Sequence, residues 1–440
     1  MQENLSIIIL AAGAGTRMKS SLPKVLHKIS GKEMLFYSIE EAKKLSSDVH
    51  VVLHYHADLV KSAMEKYFDN ITYHIQDHKK FPGTGGAVMG ILPKNEKVLI
   101  LNGDMPLVEA NELKLLTMNE DTHNMTDLKL TMSILNLKSA DGYGRVLIEN
   151  EKVVKIIEQK DCSSYELDIK TANAGVYCFD TQFLLENLPN LSNDNVQNEY
   201  YITDLVEIAV KNNLNIKPIT VKEENFKGVN SKLDLALAEV IHQNRIKNIF
   251  LSDGIVMRLP DTIYIEYGVI IQGESILENG VTLLGNSKII NSHIKTNSIV
   301  EDSIIEESSI GPMARIRPLS ILKDTHIGNF VEVKKSNLTG VKAGHLSYLG
   351  DSCIDEGTNV GAGTITCNYD GVNKYKTIIG KNVFIGSDTQ LVAPITIEDN
   401  SMIAAGSTIT NDVKSGDLAL SRTKQKTITG FFHKFFQNKK

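Results

Sequence analysis

Residues 378–409 read IIGKNVFIGSDTQLVAPITIEDNSMIAAGSTI, and within them Ile379, Ile385, Leu391, Ile397, Ile403 and Ile409 fall six residues apart. An α-helix repeats every 3.6 residues and a strand every two, so a beat of six belongs to neither on its own. It suits a parallel β-helix. There each hexapeptide forms one flat face of a coil, the aliphatic residue points inward, and small or polar residues turn the corner. The stretch is then almost two triangular turns. Further back, IGPMARIRPLSILKDTHIGNFVEVKK keeps the beat with one five-residue slip, expected between Ile316 and Ile321. Slips of this kind mark loops or sites.

The beat fades towards residue 250, and before it the pattern changes. From the start to about residue 230, short apolar runs (LSIIIL, DVHVVL, KVLILNGD) alternate with helix-like stretches (EMLFYSIEEAKKL, ADLVKSAMEKYF). That alternation is the βαβ signature of a mostly parallel, Rossmann-like α/β sheet covered by helices. Between the halves, NSKLDLALAEVIHQNRIKNIF reads as one long helix. Ser231 caps it, Asp234 follows three residues on, and Leu233, Leu237, Val240 and Ile241 share a face. The expected organisation is residues 1–230, a helical linker over 231–249, and a β-helix over 250–440.

A chain of 440 residues is long for one core, which fits two domains. Lys and Arg total 47 against 53 Asp and Glu, a net charge of −6 with no separate basic block, which argues against a general nucleic-acid binder. Cys162, Cys178, Cys353 and Cys367 form neither a CxxC pair nor a zinc spacing. The N-terminal apolar run has no basic residue before Arg17, unlike a signal peptide, and no run is long enough for a membrane span. A cytoplasmic, soluble protein is expected.

The opening ILAAGAGTRMKSSLPKVL, residues 9–26, carries the first candidate site. Both G-x-G-x-x-G and the P-loop pattern would need glycine where Met18 stands, so neither applies. What remains is a strand, a turn with Gly13 and Gly15 that exposes backbone N–H groups, then Arg17 and, past a proline, Lys24. Backbone donors plus two cations suit a nucleoside triphosphate. An ordinary strand-to-helix turn with surface cations is the alternative left open by these residues alone.

LAAGAGTRM followed by LPKVL is similar to the signature of sugar-nucleotide pyrophosphorylases. With the hexapeptide half, and with GTGGA, NGDMPL, GYGR, NEYYITD, RIRP, NFVEVKK, KAGHLSYLGD, GAGTITCNYDG and GSDTQLVAP in order, nearly the whole chain resembles one family. This is the bacterial bifunctional N-acetylglucosamine-1-phosphate uridyltransferase and glucosamine-1-phosphate acetyltransferase. The resemblance implies a left-handed β-helix, a homotrimer, and UTP, acetyl-CoA and Mg²⁺ as co-substrates and cofactor.

For uridylyl transfer it implies that Arg17 and Lys24 act on the phosphates, and that Leu10, Ala11, Gly13, Gln76, Gly83 and Thr84 hold the nucleotide. Asp104 and Asn230 would be the metal ligands, and Gly144, Glu158 and Asn173, with Asn230, would hold the N-acetylglucosamine moiety. Two hard oxygens with phosphates and water suit Mg²⁺. Two departures from the family pattern stand in this half: Gly86 where histidine is usual, and Asn102 where tyrosine is frequent.

For acetyl transfer the amine must attack a thioester as the neutral base, which calls for a proton acceptor titrating near neutrality. The resemblance assigns that role to His345, with Glu332 to orient it. Arg317, Lys334, Tyr348 and Lys374 would grip the sugar phosphate and Asn359 the sugar. Asn368, Tyr369, Ser387, Ala405 and Arg422 would line the acetyl-CoA side, Asn368 also touching the sugar. The closing GFFHKFFQNKK puts Phe431, Phe432, Phe435 and Phe436 on one helical face, for packing on the trimer or, alternatively, for a membrane surface. A pyrophosphorylase with a purely structural or regulatory β-helix is the strongest rival, and a non-catalytic assembly subunit a further one.

Overall fold

The computed structural model describes residues 4–117, 128–149 and 152–437; the NKK that ends the aromatic tail lies outside them. The chain divides into two compact units, Met1–His242 and Gln243–Lys440.

The first unit is built on a mixed sheet. Its main path runs Asn215–Thr220, Leu128–Asn136, Thr171–Asp180, Lys97–Asn102, Leu5–Leu10, Asp48–Leu53, Thr72–Ile75. The last four are mutually parallel, and Thr171–Asp180 is inserted antiparallel beside Lys97–Asn102. Leu5–Leu10 is almost wholly buried because both faces of a central parallel strand are covered, which is why LSIIIL is a continuous apolar run rather than an alternating one. Leu10 pairs with Asn102, so two strands end side by side. Their C-terminal ends bring the turn after Leu10 next to Gly103 and Asp104, the edge where open parallel sheets collect ligands. Gly103 donates its N–H to Leu10 O at 2.9 Å.

The second unit is a parallel β-helix of three sheets with ten, nine and eight short strands, one strand per sheet in each coil. The six residues of the opening repeat are all buried, from Ile379 to Ile409. The expected slip is corrected. Leu322 is the inward residue at 0% exposure and Ile321 is 47% exposed, so the step from Ile316 remains six. Five-residue steps fall instead at Leu322 to Ile327, Val333 to Leu338, Leu338 to Ala343 and Leu349 to Ile354, all buried. A corner one residue shorter absorbs each of them. The one large interruption is a projecting loop: Ile365 pairs with Gln390, whereas Tyr348 pairs with Ile365, so the coil lengthens from 17 to 25 residues. Tyr375 N–H donates to Asn368 O at 2.9 Å and closes the loop's base.

The expected linker is a helix over Lys232–Ser252. Its start is a capping box: Asp234 N–H donates to Ser231 Oγ at 3.1 Å and Ser231 N–H to Asp234 Oδ2 at 3.0 Å. Leu233, Leu237 and Val240 are exposed, and apart from Ala238 the buried positions, His242, Gln243 and Lys247, are polar. Within the second unit Gln243 exchanges two hydrogen bonds with the Ile265 backbone, at 2.7 and 3.0 Å, and Lys247 donates to Pro260 O at 2.9 Å. Ile246 and Phe250 pack on the β-helix core. The last turns of the helix therefore cap the first coil.

Candidate functional site

In the first unit, Gly15 adopts the left-handed conformation (φ 62°) and leads into the short turn Thr16–Met18, whose Met18 is buried in the core. Burial explains why an apolar residue stands where the glycine motifs would need a third glycine. A cleft at the sheet edge is lined by Leu10, Ala11, Gly13, Lys24, Gln76, Gly83, Thr84 and Asp104, all expected there, and also by His78, Asn102 and Glu199. Gln76 braces the GTGGA segment by donating Nε2 to Phe81 O at 2.8 Å and Gly83 O at 3.0 Å. The NEYYITD segment braces it from the other side: Tyr200 N–H donates to Pro82 O at 2.9 Å, and Ile202 N–H to Thr84 Oγ1 at 3.2 Å.

Gly86 has a steric cause here. A Cβ at that position would stand 2.2 Å from Phe81 O, so no side chain fits while this loop stays closed. Asn102 reaches across to the inserted strand and donates to Gly175 O at 3.4 Å.

Asp104 and Asn230 converge. Lys24 Nζ donates to Asp104 Oδ2 and, at 3.1 Å, to Asn230 Oδ1, and Arg17 Nη2 donates to the same Asn230 oxygen at 2.9 Å. Gly228 allows this closeness, since a Cβ there would lie 3.3 Å from Asp104 Oδ1. A cation already sits on both oxygens, so the donor set fits a hard divalent metal ion. No group of three or more His, Cys, Asp or Glu suited to a metal occurs among the described residues, so any ion here would complete its shell with ligand oxygens and water.

Gly144, Glu158 and Asn173 form a second cluster. Asn173 N–H donates to Gly144 O at 2.9 Å, and the Glu158 carboxylate faces Gly144, 3.5 Å from where a Cβ would be. These three do not line the sheet-edge cleft. Asn102 links the two regions, since its partner Gly175 lies two residues from Asn173. Beside Glu158, burial first and then Glu207 and Glu158 push the Asp204 carboxyl up to about 6.

In the second unit, Arg317, Lys334 and Tyr348 come from consecutive coils of one sheet, and Lys374 reaches them from the projecting loop. Arg317 and Lys374 next to Lys334 pull its pKa below the ordinary lysine value. Gly350 leaves room for the Tyr348 ring, whose hydroxyl lies 2.4 Å from the position a Cβ would take. Glu332 does not orient His345 here: it accepts a hydrogen bond from Arg317 Nη1 at 2.7 Å, because one coil of register brings these two together.

His345 is exposed at the end of the strand Lys342–His345, and the registers extend to a row. Asn329 pairs with His345, Ala343 with Val360, Val360 with Ile385, and Ile385 with Ile403. Continuing two residues past each pair stacks His345, Ala362, Ser387 and Ala405 at one corner. Each is followed by a left-handed residue, Leu346, Gly363, Asp388 and Gly406, which turns the chain. Arg422 folds back on this row and donates Nη1 to Ala405 O at 2.9 Å. Asn368 donates to the Asp351 carboxylate at 2.5 Å, Asn359 sits between Lys342 and Phe384, and Tyr369 is exposed on the loop.

Residues 7–125 match the family model of the MobA-like NTP transferase domain, and residues 376–411 that of the six-repeat bacterial transferase hexapeptide. The bifunctional protein GlmU of Aliarcobacter butzleri is 68% identical over 435 residues, covering 99% of each chain. The chain belongs to the bifunctional GlmU family. GlmU proteins of Wolinella succinogenes, 59% identical, and Sulfurovum sp., 55% identical, also align over 99% of this chain and 100% of their own.

GlmU membership and the two domain matches together make the chain a bifunctional uridyltransferase and acetyltransferase of UDP-N-acetylglucosamine synthesis. His78 and Glu199 line the sheet-edge cleft of this GlmU-family chain but were not expected there. Glu199 lies inside the NEYYITD motif, so its segment was visible but its role was not. His78 follows Gln76 by two residues, and nothing in its spacing sets it apart.

Proposed function

We propose the following division of work between the two units. The second acetylates glucosamine 1-phosphate from acetyl-CoA. The first transfers UMP from UTP to the resulting N-acetylglucosamine 1-phosphate and releases pyrophosphate.

In the β-helix, Arg317, Lys334 and Lys374 hold the dianionic phosphate with the Tyr348 hydroxyl, and Asn359 contacts the sugar. His345 Nε2 or Nδ1 takes the proton from the 2-ammonium group, the freed amine forms the C–N bond at the thioester carbonyl, the C–S bond breaks, and CoA leaves as the thiolate, which takes up a proton. Ser387 N–H faces the carbonyl oxygen as it gains charge. Asn368, Tyr369, Ala405 and Arg422 line the coenzyme side. The carrying observation is the convergence of Lys334 with two further cations: Arg317 is its register partner one coil away, and Arg317 and Lys374 both lower its pKa. A purely structural coil gains nothing from such repulsion, whereas a phosphate dianion relieves it. That favours acetyl transfer over the pyrophosphorylase with an inert β-helix.

In the α/β unit, the turn after Leu10 with Ala11 and Gly13, together with Gln76, Gly83 and Thr84, holds the nucleotide. Arg17 and Lys24 balance the triphosphate, and Gly144, Glu158 and Asn173 hold the acetylated sugar. Asp104 and Asn230 would hold Mg²⁺, which when bound adds charge neutralisation at the phosphates. The sugar phosphate oxygen attacks the α-phosphorus directly, so alignment and electrostatics carry the step and no covalent enzyme intermediate is needed. The assembly is a homotrimer with cytoplasmic location, as the family pattern implies. No helix among the described residues is long and apolar enough to cross a membrane.

One assay tests the whole reading. The protein is incubated with glucosamine 1-phosphate, acetyl-CoA, UTP and Mg²⁺. UDP-N-acetylglucosamine, CoA and pyrophosphate should appear together. Pyrophosphate released only when N-acetylglucosamine 1-phosphate is supplied would leave the inert β-helix standing.

A further inference from the structure

We propose that Lys24 is an exchangeable internal cation: its ammonium occupies the Asp104–Asn230 oxygen pair in the free enzyme and leaves when a triphosphate arrives, so that phosphate binding opens the metal site. This rests on the reading of Asp104 and Asn230 as metal ligands.

The oxygens and the ammonium come from differently anchored segments. Asn230 N–H donates to Asp234 Oδ2 at 3.2 Å, its Nδ2 to Gly228 O at 3.4 Å, and Val229 N–H to Asp104 O at 2.9 Å. The Asn230 amide is thereby tied to the Gly228 backbone, and the backbone that carries Asp104 is tied to Val229. Lys24 reaches them from a separate short turn, Lys24–Leu26, on a four-carbon stem. That stem lies against Gly15, where a Cβ would meet Lys24 Cβ at 2.6 Å. Lys24 and Asp104 side chains are only 12% and 15% exposed, so solvent screens the pair weakly.

Two cations cannot hold the same oxygen pair. An ammonium bonded to both Asp104 and Asn230 repels a divalent ion strongly at a few ångströms. A triphosphate offers the ammonium a denser set of anionic oxygens within the same cleft, and its departure exposes the two protein oxygens. Metal and nucleotide binding are therefore coupled through one side chain, and the coupling is reciprocal. The free enzyme keeps its carboxylate neutralised and rejects lone metal ions. Arg17, which bonds only the Asn230 member of the pair, turns to the same triphosphate and frees that oxygen along with Lys24.

The test is a Mn²⁺ titration of the full chain without nucleotide, read by the electron paramagnetic resonance signal of free Mn²⁺. Lys24→Met keeps a stem of similar length against Gly15, and Lys24→Gln gives a second fold-preserving variant. Lys227→Gln removes a nearby cation that pairs with Asp234 at 3.4 Å and not with Asp104, and so controls for general charge. Both Lys24 variants should bind Mn²⁺ at least ~10-fold more tightly than wild type, Lys227→Gln less than ~2-fold. Lys24 variants that bind no tighter, with binding still abolished by Asp104→Ala, would overturn the exchange and leave the metal site intact. Equal tightening by Lys227→Gln would overturn it too. Mn²⁺ binding that survives Asp104→Ala would overturn the metal-site reading itself.

Discussion

Gly361→Ala should disable acetyl transfer by adding a single carbon. Gly361 belongs to a column of small residues, Gly328, Gly344, Gly361 and Gly386, that stands one position before the corner row of His345, Ala362 and Ser387. Its N–H donates to Ile385 O at 2.9 Å, so it sits within the ladder joining its coil to the next. A Cβ there would lie 2.6 Å from each of Gly386 C, Ile385 O and Ser387 N. All three are backbone atoms, so nothing flexible can swing away. Reaching ordinary contact requires a shift of roughly 0.8 Å against a coil spacing of ~4.8 Å, and overpacking of this kind costs about 1–3 kcal/mol. The shift falls on Ser387, whose N–H must meet the carbonyl oxygen. A displacement near 1 Å costs ~10²-fold in a positioned reaction. CoA release with glucosamine 1-phosphate measures this, while uridylyl transfer from supplied N-acetylglucosamine 1-phosphate serves as the internal control. Gly344→Ala is the matched comparison, because a Cβ there meets nothing within 4 Å, and it should lose little stability. Wild-type acetylation by Gly361→Ala would refute the claim that this corner is geometrically constrained.

His345→Ala should lose at least ~10²-fold in acetylation and keep uridylyl transfer; unchanged acetylation at pH 7 would assign the proton to another group. Asp104→Ala should give the mirror result, a loss of most pyrophosphate release with acetylation intact, and near-wild-type release would exclude Asp104 as a ligand. Asp204 gives a pH-dependent stability effect. Its folded pKa, about 6, lies above the ordinary 3.8, so the folded state binds more protons between these values and its stability falls as pH rises from about 4 to 6. Asp204→Asn should therefore raise stability at pH 7 by about 1 kcal/mol, after discounting the shift for solvent screening, and give no gain below about pH 4. Thermal melts at both pH values check the sign, and equal gains at both would refute the charge origin.

The six-residue beat was legible because Ile379 through Ile409 keep a regular spacing, and burial of one aliphatic residue per hexapeptide leaves that mark directly in the sequence. It failed at Ile321 and Leu322, where two adjacent aliphatic residues offer two registers and only the coil geometry chooses. It also could not reveal that Glu332 pairs with Arg317, since a contact 15 residues apart depends on the length of each corner between them. The long helix misled in another way. Leu233, Leu237 and Val240 of its aliphatic face are exposed, whereas His242, Gln243 and Lys247 are buried. Each bonds a fixed partner, as His242 Nδ1 does with Ser30 Oγ at 2.8 Å, and hydrophobic patterning carries no signal for polar burial of that kind. The sheet-edge cleft brings together many residues that the sequence singled out because they lie in motif-bearing loops at strand ends. His78 escaped because its place depends on where a loop folds back.

The two sites constrain the chain in different ways. In the α/β unit, three connections converge, each after its own parallel strand: Gly13 and Lys24 follow Leu5–Leu10, Gln76 and Thr84 follow Thr72–Ile75, and Asp104 follows Lys97–Asn102. In the β-helix, His345, Ala362, Ser387 and Ala405 are held by successive coils, and each coil sets the height of the next through its ladder. The projecting loop lengthens one coil to 25 residues, yet Val360 still pairs with Ile385 and the row is kept. Length is thus tolerated where the insertion leaves the coil as a closed excursion, its base sealed by the bond from Tyr375 N–H to Asn368 O. That excursion carries Tyr369 and Lys374, two of the proposed ligand contacts. The β-helix therefore carries this excursion without disturbing the register that stacks the proposed proton acceptor His345 and the proposed carbonyl donor Ser387.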